Sequence, residues 1–123
     1  MPNQAKKPTI LICDDEEGIR ESFKLILEDH YDLKFATHGI EALEMLKTLS
    51  PAVMLLDIKM PKIHGLEILK RVKDAHPKLP VIIVTGYQSV EMAQEALKHG
   101  AADYIPKPFE TKAIIKSISS IIG

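Results

Sequence analysis

The chain of 123 residues lacks tryptophan, has one cysteine and has only 5% aromatic side chains. Since Cys13 has no second cysteine to pair with, we expect no internal disulfide and a reducing, cytoplasmic location. No apolar run approaches the roughly 20 residues of a membrane-spanning helix. Sixteen basic and seventeen acidic residues give a net charge of −1, which argues against direct nucleic-acid binding and against a membrane surface. We expect a polar tail over residues 1–7, without a signal-peptide pattern, and one globular domain over residues 8–123.

Five short segments are predicted to be β-strands. They cover residues 9–13, 32–36, 52–56, 81–84 and 103–105. The first, third and fourth are almost continuously apolar, as strands covered on both faces of a parallel sheet are. The second and fifth are shorter or alternate with charged residues, which suits edge strands. The expected strand order is therefore 2-1-3-4-5.

Apolar residues that recur every three or four positions predict a helix after each strand. These residues are Ile19, Phe23, Ile26 and Leu27; Ile40, Leu43, Leu46 and Leu49; Leu66, Leu69 and Val72; Val90, Ala93 and Leu97; and Ile114, Ile115, Ile118, Ile121 and Ile122. Ser50-Pro51 and Pro77 are predicted to end the second and third helices, and Gly100 to cap the fourth. The alternation predicts a single α/β domain with a parallel five-stranded sheet and helices on both faces.

Polar residues stand at the carboxyl ends of four predicted strands, where open α/β sheets bind ligands. They are Asp14-Asp15-Glu16, Asp57, Thr85-Gly86 and Lys107. Singly, each could be a helix cap or a turn residue. Together, the carboxylates would repel by about 4 kcal/mol per pair at 4 Å, so the cluster must protonate, splay apart or bind a cation. Oxygen ligands in an open crevice favour Mg²⁺, with Asp15 and Asp57 as direct ligands and Asp14 acting through water. Calcium buffering is the alternative, but the twelve-residue calcium loop is missing.

A metal beside a carboxylate, a lysine and a hydroxyl suits phosphoryl transfer. Asp57 would be the nucleophile and become an aspartyl phosphate. Mg²⁺, the Lys107 ammonium and the Thr85 hydroxyl would each neutralise or hydrogen-bond one phosphoryl oxygen.

Four motifs then carry a resemblance to a known family. They are Ile12-Cys13-Asp14-Asp15-Glu16, Leu55-Leu56-Asp57-Ile58-Lys59-Met60-Pro61 with Gly65, Val84-Thr85-Gly86, and Asp103-Tyr104-Ile105-Pro106-Lys107-Pro108-Phe109. In this order and spacing, the chain resembles the receiver domain of two-component response regulators from about Pro8 to Ile122. The resemblance implies a flavodoxin-like fold and a signalling switch rather than an enzyme with an external substrate.

The same resemblance implies roles for individual residues. Asp57 would be phosphorylated from the phosphohistidine of a sensor histidine kinase or a phosphotransfer protein. Mg²⁺ would be held by Asp15, Asp57 and the backbone carbonyl of Lys59, and the bond between Lys107 and Pro108 would be cis, a form found in about 5–6% of X-Pro bonds.

The implied output is a switch that couples Thr85 to Tyr104. It would bias the surface of helix 4, strand 5 and helix 5, through which an output domain or a second copy could bind. Alternatively, Tyr104 only covers a sheet edge. Lys59 and Tyr87 lie two residues after Asp57 and Thr85, where side chains can shield the acyl phosphate. We expect Tyr87→Ala to change the dephosphorylation rate several-fold, about 1 kcal/mol in barrier, unless Tyr87 only packs on helix 4.

The sequence leaves three alternatives to a phosphorylated receiver domain. A flavodoxin-like binder of FMN or nucleotide would need glycines and amides where this chain has Asp14-Asp15-Glu16-Glu17. A metal-dependent phosphatase would need a further acid or base and a substrate cap. A degenerate receiver that is never phosphorylated would not require all the motif residues.

Overall fold

The computed structural model describes residues 7–59, 65–86 and 89–122, in which strands and helices alternate along the chain. The strands are β1 (Thr9–Cys13), β2 (Asp32–Ala36), β3 (Val53–Leu56), β4 (Val81–Thr85) and β5 (Asp103–Pro106). The helices are α1 (Glu17–Leu27), α2 (Gly39–Met45), α3 (Gly65–Ala75), α4 (Val90–Lys98) and α5 (Thr111–Ile122). Each predicted element is present, and no strand end differs from its predicted position by more than one residue.

The five strands form one parallel sheet in the order β2-β1-β3-β4-β5. The predicted order and the α/β fold class are therefore confirmed. Cys13 at the end of β1 pairs with Leu56 at the end of β3, and Leu56 pairs in turn with Ile83 of β4. This register brings the carboxyl ends of β1, β3 and β4 together, and the winding order reverses between β1 and β3.

Each face of the sheet is covered by its own apolar layer. Leu11, Met54 and Ile83 point to the layer that α2, α3 and α4 cover. The alternate residues, such as Ile12 and Val84, point to the layer under α1 and α5. Successive side chains of a strand point to opposite faces of the sheet. Because both faces are covered, the central strands are apolar at every position.

Two details of the predicted helices are wrong. Helix α2 ends at Met45 rather than at Ser50-Pro51, although the following turns still bury Leu46 in the core. In α4 the expected apolar face is not the buried one, because Ala96 is buried while Val90 is 72% and Leu97 49% exposed. Ile40 and Ile115 are likewise partly exposed. A period of three or four residues identifies a helix more reliably than it identifies which residues pack.

Gly100 ends α4 as predicted. Its φ is +101°, a left-handed conformation that glycine adopts without strain. The N–H of Gly100 donates to the carbonyl of Leu97 at 3.1 Å, and the N–H of Ala101 donates to Ala96 at 3.0 Å. This pair of bonds is the Schellman motif, which satisfies the last helical carbonyls. Within the described part of the chain, none of the helices has the length and apolar character to cross a membrane.

Candidate functional site

The backbone alone brings four strand ends into one crevice. The N–H of Asp57, just after β3, donates to the carbonyl of Cys13 at the end of β1 at 3.0 Å. The N–H of Lys107, just after β5, donates to the carbonyl of Thr85 at the end of β4 at 2.8 Å. The side chains that follow these strands therefore share one edge of the sheet, as the sequence analysis predicted.

The Asp57 carboxylate is held by hydrogen-bond donors on both oxygens. Its Oδ1 accepts from the Thr85 hydroxyl at 2.7 Å and from the backbone N–H of Lys59 at 2.8 Å. Its Oδ2 accepts from the Lys107 ammonium at 2.9 Å. The Asp57 residue is only 3% exposed, and such donors compensate for the loss of water around a buried anion. The carboxylate is thus fixed in position at the mouth of the crevice.

Lys107 lies among three carboxylates. Its Nζ is 2.8 Å from Asp14 Oδ2, 2.9 Å from Asp57 Oδ2 and 3.1 Å from Glu16 Oε1. Burial alone would lower the pKa of the Lys107 ammonium, but hydrogen bonds and ionic attraction to Asp14 and Asp57 outweigh it and raise this pKa. Lys107 is therefore a fixed positive charge at the acidic site.

Asp14 is the buried acid on the β1 side. It is 1% exposed, and burial raises the pKa of its carboxyl group although hydrogen bonds from Lys107 and from the Glu16 N–H oppose the change. The Glu16 N–H donates to Asp14 Oδ1 at 2.9 Å, and the Arg20 guanidinium donates to the Asp14 backbone carbonyl at 2.9 Å. These contacts fix the turn between β1 and α1.

Four acidic residues converge closely enough to hold one metal ion. Carboxylate oxygens of Asp14, Asp15, Glu16 and Asp57 lie within 4.8 Å of one another. Two of these residues are buried and two are exposed, so the group is anchored on one side and open to solvent on the other. An all-oxygen, open donor set with one ammonium among four carboxylates fits a hard divalent cation such as Mg²⁺.

The remaining predicted site residues are Lys59, Tyr104 and Tyr87. Lys59 is placed at the site by its backbone N–H, while the predicted ligation through its carbonyl stays a prediction. The Tyr104 ring is partly buried against the layer under α4. Burial and, to a smaller extent, the negative charge of Asp57 raise the pKa of the Tyr104 hydroxyl. Tyr87 lies outside the described residues. The predicted cis bond between Lys107 and Pro108 is confirmed.

Glu16 is a site residue that the sequence analysis did not select. It appeared there only as part of the acidic run after β1. Its side chain is 62% exposed, yet it contacts Lys107, which lies 91 residues away in sequence. The available signal was its position directly after Asp14-Asp15, because a third acid at a strand tip can reach a cation presented by a neighbouring strand.

The doubly wound α/β sheet, with a buried acid, a lysine and a hydroxyl at its switch point, makes the chain a flavodoxin-like α/β domain with a polar site at its strand ends. The family model described as the response regulator receiver domain matches residues 10–119. The chain therefore belongs to the response regulator receiver domain family, and the resemblance stated above is confirmed.

Similar proteins agree with this assignment. Response regulator MprA of Mycobacterium ulcerans (strain Agy99) is 33% identical over 114 residues, covering 92% of this chain and 49% of that protein. The CheY-like receiver domain protein from Methanospirillum hungatei JF-1 superposes with a TM-score of 0.89 at 34% identity, covering 96% of this chain and 94% of its own. NtrX from Brucella abortus gives 0.88 at 32% identity, covering 94% of this chain and 27% of its own. The chain spans about half the length of the curated relatives it matches.

Proposed function

We propose that this chain is the phosphoacceptor of a two-component system, in which Asp57 takes a phosphoryl group from a histidine kinase or a phosphotransfer protein in the presence of Mg²⁺. The observation that carries the proposal is the setting of Asp57. Its carboxylate is buried, held by Thr85 and Lys107, and placed beside three further acids. This arrangement supplies a fixed nucleophile, two donors for a phosphoryl group and a place for a cation.

The transfer step follows from these groups. An oxygen of the Asp57 carboxylate attacks phosphorus as the P–N bond of the phosphohistidine breaks, and the leaving imidazole nitrogen keeps the electron pair. Lys107 and Thr85 hold the negative charge that builds on the phosphoryl oxygens. Asp14, Asp15 and Asp57, with the carbonyl of Lys59, are the proposed metal ligands. When bound, Mg²⁺ would neutralise part of the phosphoryl charge.

The output is proposed to pass through Thr85 and Tyr104 to the surface of α4, β5 and α5. Two described features support this surface. Val90 and Leu97 leave apolar side chains exposed on α4, and a groove of about 340 Å³ lies between α4 and β5, lined in part by Tyr104 and Pro106. An output domain or a second copy of the chain would bind there. A longer parent protein is compatible with the greater length of the relatives.

The deciding experiment is intact-mass spectrometry after incubation with Mg²⁺ and acetyl phosphate. The parent should gain one phosphoryl group, an increment of about 80 Da that carries −1.5 to −2 charges at neutral pH. Asp57→Asn should gain none, and the control Asp74→Asn, an exposed aspartate on α3, should behave as the parent does. The proposal fails if the parent never gains the increment, with acetyl phosphate or with a histidine kinase as donor.

A further inference from the structure

The contact between Glu16 and Lys107 is an ionic interaction of the crevice that the proposed phosphoryl transfer does not use. Lys107 donates to Asp14 and Asp57 on its buried side and to Glu16 on its solvent side. The exposed fractions differ sharply, since the side chains of Asp14 and Asp57 are 2% and 3% exposed and that of Glu16 is 62% exposed. Glu16 is therefore the carboxylate partner that Lys107 can give up at the lowest cost.

A phosphoryl group on Asp57 requires an N–H of Lys107. In the unphosphorylated protein the Lys107 ammonium donates to the carboxylates of Asp14, Asp57 and Glu16. The N–H that Asp57 accepts can pass to a phosphoryl oxygen, and the buried contact with Asp14 is costly to break, so the contact with Glu16 is the one that yields when Lys107 moves toward the phosphoryl group.

We propose that Glu16 is a positioning residue that restrains Lys107 in the unphosphorylated protein and slows phosphorylation of Asp57. This inference rests on the proposed function, because it concerns the rate of that transfer. Glu16 competes with the incoming phosphoryl group for Lys107, so its carboxylate sets the resting position of the ammonium. Loss of the Glu16 charge removes the weakest of these restraints, so the ammonium can move toward the phosphoryl group at lower cost.

The test is the rate of phosphorylation of Glu16→Gln by acetyl phosphate, followed by intact mass. Glu17→Gln is the matched control, since Glu17 is the next residue, is exposed and carries the same charge at the start of α1. Each variant is measured at an Mg²⁺ concentration that saturates it, because removal of an acid beside the metal ligands also weakens metal binding. We expect Glu16→Gln to react about threefold faster than Glu17→Gln, in keeping with the modest strength of an ion pair with one exposed partner.

A double-mutant cycle separates an action through Lys107 from a direct effect on the donor. In the Lys107→Ala background, Glu16→Gln should no longer change the rate, and in the native background Glu16→Asp should keep most of the restraint. The proposal is overturned if Glu16→Gln and Glu17→Gln react equally fast, or if the effect of Glu16→Gln persists without Lys107. A parent that takes up no phosphoryl group would instead contradict the proposed function.

A second measurement needs no phosphodonor. The ¹⁵N resonance of the Lys107 ammonium, recorded at low temperature without Mg²⁺, reports which groups accept its hydrogen bonds. Glu16→Gln should shift this resonance and Glu17→Gln should not. An unshifted resonance in Glu16→Gln would show that the contact is absent in solution and would overturn the inference, whatever the phosphorylation rates are.

Discussion

The hydroxyl of Thr85 donates a 2.7 Å hydrogen bond to Oδ1 of Asp57, although the two residues are 28 positions apart in the chain. Both side chains are buried, and they follow neighbouring parallel strands. The resting carboxylate therefore already engages the hydroxyl that is proposed to bind its phosphoryl group. Under the proposed function, phosphorylation would exchange one acceptor for another at Thr85, and β4 and α4 would respond to this exchange.

Thr85→Ala removes both the hydroxyl and the methyl group and should lose about 3 kcal/mol of unfolding free energy, of which about 2 kcal/mol is the buried hydrogen bond to a charged group. Thr85→Ser keeps the hydroxyl and should lose only about 1 kcal/mol for the missing methyl group. Urea unfolding of both variants measures the difference. An equal loss in the two variants would mean that the hydroxyl contributes nothing and that the methyl group alone stabilises the site.

Tyr104→Ala should remove the response of the α4, β5 and α5 surface while Asp57 is still phosphorylated. The reason is that the Tyr104 ring lines the groove beside α4, so its rotation is the proposed link between the site and that surface. Amide hydrogen exchange of α4, with and without beryllofluoride, measures the response. Tyr104→Phe, which keeps the ring, is the control, and an unchanged response in Tyr104→Ala would exclude Tyr104 from the switch.

Lys107→Ala should destabilise the metal-free protein by about 3 kcal/mol, because Asp14 and Asp57 would be buried without their cation. Mg²⁺ should then restore more stability to this variant than it adds to the parent, since the metal would supply the missing positive charge. Urea unfolding with a chelator or with Mg²⁺ gives both quantities. Lys98→Ala, at an exposed position of α4, is the control. If Mg²⁺ raised the unfolding free energy of Lys107→Ala and of the parent equally, this result would contradict a cation site at these acids.

Asp14 makes the stability of the metal-free protein depend on pH. Burial raises the pKa of its carboxyl group above the ordinary value of 3.8, so the folded state binds more protons than the unfolded state just above that pH. The unfolding free energy must therefore fall as the pH rises from about 4 toward the raised folded-state pKa. Relative to Asp14→Asn, the parent should lose stability over this window. A difference that stays constant from about pH 4 to 7, or grows in favour of the parent, would contradict this assignment.

Gly65→Ala should destabilise the protein by about 2 kcal/mol or more, because a Cβ at Gly65 would overlap the backbone of Ile58. The displacement would also move the Lys59 N–H that donates to Asp57, so the phosphorylation rate should fall. Gly18→Ala on α1 is the control. A Cβ there meets nothing within 4 Å, and the substitution should stabilise that helix by about 0.5–1 kcal/mol. Equal stability of the two variants would refute the close approach.

Local patterns in the sequence predicted most of the fold. Val81, Ile82 and Ile83 are buried on alternate faces, and a run of this kind allows only a central strand. Ser50-Pro51 is a strong helix stop, and the end of α2 was predicted there for that reason. The helix ends at Met45, and hydrogen-bonded turns follow it. Those turns keep Leu46 and Leu49 against the core, so the apolar period continues beyond the helix.

The site residues at strand ends could be predicted from the sequence. The contacts that depend on the direction of a long side chain could not. Asp14, Asp57 and Thr85 follow buried strands, so the topology alone brings them together. The contact of Glu16 depends on the direction of the Lys107 side chain, which no sequence pattern specifies. The exposure of Val90 has a similar cause, because the tilt of α4 on the sheet selects which of its residues are covered.

The Lys107 ammonium donates a hydrogen bond to Asp14, although the two residues are 93 positions apart in the chain of 123 residues. A chain interrupted before β5 would carry the acids of the crevice without their lysine, and its exposed β4 would lack a neighbour. Under the proposed function, such a chain would present the acids of the crevice to an anionic donor without the ammonium that offsets their charge. Competence for the proposed transfer would thus depend on completion of the sheet through β5.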